Sequence, residues 1–285
     1  MKNNLTILII VVAISIPVIM QMQFYESITN TVFVTDTTTE TSTTVITNTT
    51  TITITAISTV DDPNPPSSSE IDSIDLVYVD NRAVSWNHTH LNILINLQET
   101  LDIEVDYSVI DAIHNAIDQW QRSISEFVNI YPEYEYLGDI VFSVYIQGVN
   151  NTLLQGDPDV QINFEENLHD SLLGETILLI SNINSIKTAT IDIALSDLSL
   201  LGMQNVMTHE LGHVLGLEHS SNETDLMYSE KEKSEVKEKK LCPSTLDIYA
   251  LALIYHWIET SSYHPYYTTS VTLPNSINNI VLACS

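Results

Sequence analysis

Two hydrophobic periods divide the chain. Leu91, Ile93, Ile95 and Leu97 alternate with Asn92, Leu94 and Asn96, the period of a strand with one buried face. The spacing then lengthens: Ile110, Ile113, Ile117, Trp120, Ile124 and Phe127 recur every three or four residues and predict a long amphipathic helix with Trp120 in the core. Ser108, with Asp111 three residues on, reads as its capping box. Alternation returns at Ile140, Phe142, Val144 and Ile146 and at Val160, Ile162 and Phe164, and apolar runs at 176–180 and 190–195 predict two further strands. A last helix is marked by Pro243 and by Ser244 with Asp247, and extends to about Trp257 with Ile248, Leu251, Ala252 and Tyr255 facing the core. The folded unit therefore starts near Asp75.

Upstream of that point the pattern is of another kind. Leu5–Met20 is an apolar run broken only by Thr6, Ser15 and Pro17 and preceded by Lys2, which reads as an export segment, either a signal anchor or a cleaved signal peptide. Residues 27–69 are dominated by Thr and Ser and end in Asp-Asp-Pro-Asn-Pro-Pro-Ser-Ser-Ser, the composition of an O-glycosylated stalk. Thr51–Thr55 alternates Thr with Ile and also fits a strand, but the surrounding tract favours the stalk. The expected organisation is an export segment over 1–26, a disordered stalk over 27–74, a catalytic domain over 75–260 and a tail over 261–285. Asn48, Asn87, Asn150 and Asn222 each open an N-glycosylation sequon, consistent with an exported chain.

Charge narrows the partners. With 37 acidic and 9 basic residues the formal charge is −28, and phosphate backbones would be repelled, so nucleic acid is excluded. Calcium at a carboxylate cluster is a minor expectation, since no EF-hand-like spacing is present. In an exported chain the two cysteines, Cys242 and Cys284, are expected to pair. That would clip the tail and stabilise by about 4 kcal/mol on the chain-entropy account.

The chemistry is concentrated in His209-Glu-Leu-Gly-His213-Val-Leu-Gly216-Leu-Glu-His219. Residues four apart on a helix lie one turn along it and about 40° around it, so His209 and His213 can aim at one point. Gly216 can take the positive φ that ends the helix, and the returning chain would bring His219 to the same ion. Three imidazoles leave a fourth zinc position to water. Glu210, next to a ligand but directed elsewhere, is placed to take a proton from that water.

This string resembles the long zinc signature of the metzincin metallopeptidases. Asp225-Leu226-Met227-Tyr228 resembles their methionine turn, which makes Met227 the apolar floor beneath the imidazoles. Ser220 after the third histidine, and Asn205-Val206-Met207-Thr208 before the first, are similar to the matrixin branch. The strong resemblance covers residues 203–228. It implies an α+β, zincin-like fold, with a five-stranded twisted mixed sheet, long helices, and an active-site cleft above a small C-terminal subdomain. It implies a monomeric zinc endopeptidase that hydrolyses extracellular protein or peptide substrates through a zinc-bound water with Glu210 as general base. The enzyme would stand on the outer face of the membrane or be secreted.

The resemblance also suggests that the segment around Thr176–Ile180 is an edge strand against which extended substrate lies, although the same run also fits an interior strand. Lys231–Lys240 holds five of the nine basic residues and reads as a solvated loop. In metzincins, however, that region borders the pocket after the scissile bond, where lysines could favour acidic substrates. The chain departs from the matrixins in having no propeptide cysteine. It also lacks a complete ligand set for a second zinc, of which His169-Asp170 is at best a fragment. His88, His90 and His264 read as surface or packing residues. The competing readings are a non-catalytic zinc-containing adhesion or binding module and a stalk-borne envelope protein with an accidental motif.

Overall fold

The computed structural model describes residues 50–56, 72–97, 107–147, 156–169, 172–181, 183–196, 198–229, 239–264 and 266–284. The candidate export segment, most of the Thr/Ser tract, Asn48, Asn150, Asp170 and most of the Lys231–Lys240 run lie outside them. Among the described residues no helix is long and apolar enough to cross a membrane.

In chain order the strands are β1 (Thr50–Ala56), β2 (Ser73–Leu76), β3 (Tyr78–Val79), β4 (Arg82–Ala83), β5 (Ser85–Trp86) and β6 (His90–Asn96). Helix α1 (Tyr107–Ile130) and a 3₁₀ segment (Pro132–Asp139) follow. Then come β7 (Val141–Gln147), β8 (Val160–Glu165), β9 (Gly174–Ile180), β10 (Ser185–Ala194), α2 (Leu200–Val214) and β11 (Leu217–Ser220). Helix α3 (Thr245–Ile254), the one-turn helix α4 (Trp257–Thr260) and β12 (Ser270–Thr272) complete the described elements.

The main sheet runs β1-β9-β10-β8-β6-β7, with β5 also pairing β10. Strands β7, β6, β8 and β10 are parallel, and β9 is antiparallel to β10. The result is a mixed α+β fold with a mainly parallel central sheet. The alternation seen in sequence decides which face packs: Leu91, Ile93, Ile95, Val160, Ile162 and Phe164 are all buried. So is the α1 stripe from Ile110 to Phe127, each large side chain stabilising by roughly 1.5–3 kcal/mol relative to exposure. Trp120 also donates its Nε1 hydrogen to Thr208 O of α2 at 2.7 Å, locking the two helices together. A second, three-stranded sheet, β11-β2-β12, joins the two ends of the described domain.

Several expectations change. The main sheet has seven strands rather than five, because β5 and β1 add to it. Thr50–Ala56, expected within a disordered stalk, is a strand in register with β9 from Thr50 opposite Ile180 to Ala56 opposite Gly174. Its β-branched Thr-Ile alternation suits a strand once an open ladder is available, which composition alone does not show. Consequently the Thr176–Ile180 segment is not an edge: β9 lies between β1 and β10. Helix α1 already includes Tyr107, so Ser108 lies within its first turn and is not the cap. The helix expected from Ser244 to about Trp257 is broken in two, α3 ending at Ile254 and the one-turn α4 beginning at Trp257, while the capping box of α3 is present, with Asp247 N bonded to Ser244 Oγ at 3.2 Å and Ser244 N to Asp247 Oδ2 at 2.7 Å.

Candidate metal centre

Helix α2 carries the first two histidines. Ser199 caps it by accepting from Gly202 N at 3.0 Å, and its last carbonyls are satisfied by aromatic donors, Trp86 Nε1 to Val214 O at 2.8 Å and Tyr255 Oη to Leu215 O at 3.2 Å. The helix stops where glycine permits it. Gly216 has φ +98°, and a Cβ there would stand 2.5 Å from Val84 O, so neither the turn nor the packing tolerates a side chain. The chain then reverses into β11, paired with β2 at Leu217–Leu76 and Ser220–Ile74, and His219 comes back to the helix.

Three imidazoles converge there. One nitrogen from each of His209, His213 and His219 forms a group whose members all lie within 4.8 Å of one another, the one such cluster of histidine, cysteine or carboxylate found among the described residues. His209 Nδ1 bonds Leu226 O and His213 Nδ1 bonds Leu217 O, each at 2.8 Å. A carbonyl only accepts, so both rings carry their hydrogen on Nδ1, and a neutral ring then presents a lone pair at Nε2. The two Nε2 atoms stand 3.1 Å apart. Burial, then the neighbouring His209 and His219, hold His213 well below the usual histidine range. Burial, then His209, lowers His219 to about 3. Neutral rings with facing lone pairs repel unless a cation lies between them, and metal ligation requires neutral imidazole.

The donor set fits zinc. Tetrahedral ligands at zinc–nitrogen distances of roughly 2.0–2.1 Å stand about 3.3 Å apart, close to the observed pair. His219 Nε2 is buried with no hydrogen-bond partner, an orphan that a metal would satisfy. No calcium-type cluster of carboxylates accompanies the triad among the described residues.

Glu210 is buried beside the triad and held from the sheet. Thr176 Oγ1 donates to its Oε2 at 2.7 Å, while Oε1 has no partner. Burial pushes this carboxyl up to about 8; the Thr176 bond lowers it, and Glu175 and Asp192 add to the rise. Gly174 makes the approach possible, since a Cβ there would lie 2.5 Å from Glu210 Oε1 and 2.7 Å from Val206 Cγ1. On the other side Met227 is fully buried, with Ser220 N donating to its carbonyl at 2.9 Å. Its sulfur lies against Gly212, where a Cβ would also meet Met227 Cε at 2.8 Å. Asp225 accepts from Ser220 Oγ and faces Asp247, whose carboxyl burial raises well above its ordinary value, with Asp225 reinforcing the shift.

Gly174, Thr176 and Asp247 were not singled out as site residues. A glycine opening an apolar strand is the one signal that could have pointed to a close approach. Cys242 and Cys284 form a disulfide with Cα atoms 5.6 Å apart. Asn87 is exposed, whereas Asn222 is engaged, donating to Asp72 Oδ2 at 2.9 Å and accepting from Thr224 N at 2.9 Å. His90 bonds Ser143, His88 contacts Asn87 and Asp159, and His264 is exposed; none joins the triad. His169 stands 3.9 Å from Glu175 and belongs to no metal-type cluster among the described residues.

Sheet, helices and histidine triad together are those of a zinc metallopeptidase. The matrixin family profile matches residues 85–256, and the chain belongs to that family. A search of curated proteins finds no match. Among solved structures, archaemetzincin from Methanopyrus kandleri is similar at 16% identity and a TM-score of 0.35, over 58% of this chain and 94% of that one. As a peptidase the protein acts on protein or peptide substrates.

Proposed function

We propose that the protein is a matrixin-type endopeptidase that cleaves extended polypeptides outside the cell. In this reading His209, His213 and His219 hold zinc through their ring nitrogens, and Glu210 is the general base. Bound zinc supplies Lewis-acid polarisation of the reacting water and carbonyl. The chain's own groups do the rest. Leu217 O and Leu226 O orient two of the rings, Thr176 fixes one oxygen of Glu210, and Glu210 takes a proton from the attacking water and later delivers it to the departing amine. Burial alone, which pushes this carboxyl up to about 8, would keep it protonated at neutral pH; a cation held by the three histidines would draw it down to the carboxylate form that a base requires. Substrate would lie in the cleft between the sheet and the C-terminal part of the chain.

The observation that carries this reading is Glu210 itself, buried with one oxygen held and the other without a donor. A purely structural or adhesive zinc site needs no such group and ordinarily has a fourth protein ligand. The extracellular setting is supported by the apolar Leu5–Met20 run, the Thr/Ser tract and the disulfide. Glu210→Gln, which can keep the Thr176 bond, tests the mechanism. Zinc should remain at about one per chain while peptide hydrolysis falls by roughly 10²–10⁴-fold. Undiminished hydrolysis in this variant removes Glu210 as the base, and a wild-type chain that takes up no zinc removes the reading altogether.

A further inference from the structure

A peptidase that binds extended chains needs an open strand edge, and an open apolar edge invites pairing with other chains. The sequence of β9, Gly-Glu-Thr-Ile-Leu-Leu-Ile, is such an edge. In this structure it is covered by the chain itself. All seven residues of β1 pair antiparallel with β9, Ile54 opposite Thr176 and Ala56 opposite Gly174. Those two β9 residues are the ones that touch Glu210, through the 2.7 Å hydrogen bond and through the close approach at Gly174. Strand β1 also lies beside α2, the helix that carries Glu210. Resting on the peptidase reading of that site, we infer that Thr50–Ala56 is an intramolecular occupant of the peptide-binding edge, a strand that substrate must displace.

Three observations favour a displaceable occupant over a permanent sheet member. Strand β1 lies outside residues 85–256, the part matched by the family profile. Between it and β2 the sequence runs through Asp61-Asp-Pro-Asn-Pro-Pro-Ser-Ser-Ser, a polar and proline-rich composition. Its ladder is made of backbone bonds to one strand, the same bonds any extended peptide can make, so a substrate gains what β1 loses.

The test uses the full chain carrying Thr53→Pro and Ile54→Pro. Adjacent prolines remove a ladder N–H whichever of the two faces β9. Amide exchange is followed in β9, and binding of a labelled peptide copying residues 48–58 is measured with Glu210→Ala in both backgrounds so that nothing is cut. Peptide hydrolysis is measured separately with Glu210 intact. The expected results are faster exchange at the β9 amides directed at β1, and peptide binding and kcat/KM each raised by about tenfold or more, as for a latch closed roughly nine-tenths of the time. Unchanged exchange together with unchanged peptide affinity overturns the inference, and hydrolysis persisting equally in both chains would then leave the peptidase reading standing. Gained peptide binding and exchange with no hydrolysis by either chain supports the occupant and overturns the peptidase reading instead.

Discussion

The two walls around the histidine triad are built differently. On the sheet side, Gly174 and Thr176 belong to β9, a strand fixed along its length by its ladder with β10, and it is Glu210 rather than a histidine that they approach. On the other side the contacts are short and local: Leu217 O and Leu226 O on two rings, Gly216 at the turn, Met227 against Gly212. That second wall is tied down from outside, by Asp225 against Asp247 of α3, by the β11-β2-β12 sheet and by the Cys242–Cys284 bond. On the proposed mechanism the sheet wall governs the proton and the turn wall governs the metal. Rate and metal retention should therefore be separable by substitution.

The largest expected effect lies in the restraints on the turn wall. The disulfide spans 42 residues and holds the tail on α1, where Gln119 Nε2 donates to Ala283 O at 2.7 Å. Removing it with Cys242→Ala and Cys284→Ala should destabilise by about 4 kcal/mol, read as a fall in denaturation midpoint. Turnover per bound zinc should be unchanged under conditions where the variant remains folded; a lowered turnover there would erase the division between the walls. The opposite substitution is Gly174→Ala. The added methyl must push Glu210 and Val206 aside, and a base misplaced by about 1 Å should cost roughly 10²-fold in kcat/KM. Zinc content should not change, and zinc loss in parallel with rate would again merge the two walls.

The turn wall was the more legible in sequence because its chemistry is contiguous. His209, His213, Gly216, His219 and Met227 fall within nineteen residues, and helix period plus a glycine stop is enough to fold the histidines onto one point. Strands β6–β10 and helix α1 were legible through their periods and apolar runs, since burial leaves such a trace, whereas β2–β5, β11 and β12 are too short to carry one. The sheet wall left no such trace. Thr176 reaches Glu210 across 34 residues through a strand order that period cannot specify, and Gly174 matters only because another chain segment comes close. Strand β1 was hidden by its setting. A five-residue Thr-Ile alternation inside a Thr/Ser tract is read as stalk until a partner strand is known.

Gly212→Ala tests the turn wall from within. A methyl at Gly212 would collide with the Met227 side chain and stand 3.2 Å from Trp120, so the Met227 turn must move away from α2. Overpacking of this kind should destabilise by about 1–3 kcal/mol. Because Leu226 O, next to Met227, orients His209, zinc affinity should fall as well, measured by competition with a chelator. Turnover of the fully loaded variant should stay near that of wild type. Unaltered zinc affinity would show that the ring geometry does not depend on this contact.

The smallest effect concerns a proton. Asp247 is buried, its Oδ2 accepts from Ser244 N and Oγ, and its Oδ1 has no donor while Asp225 stands opposite. A carboxyl raised by burial and by that neighbour keeps its proton in the folded protein at pH values where an unfolded aspartate, near 3.8, has lost it. The folded state then binds more protons than the unfolded one, so this contribution to stability is fully present below about pH 4 and is lost as pH rises through the folded value. One proton corresponds to at most about 1.4 kcal/mol per pH unit. Asp247→Asn keeps an acceptor for Ser244 and offers a fixed N–H toward Asp225 in place of the shared proton. With zinc saturating, the difference in melting temperature between wild type and Asp247→Asn should therefore shift toward the variant as pH rises from 4. A difference that stays level across that range would mean that Asp225 and Asp247 share no proton, and that the turn wall is held by packing and the disulfide alone.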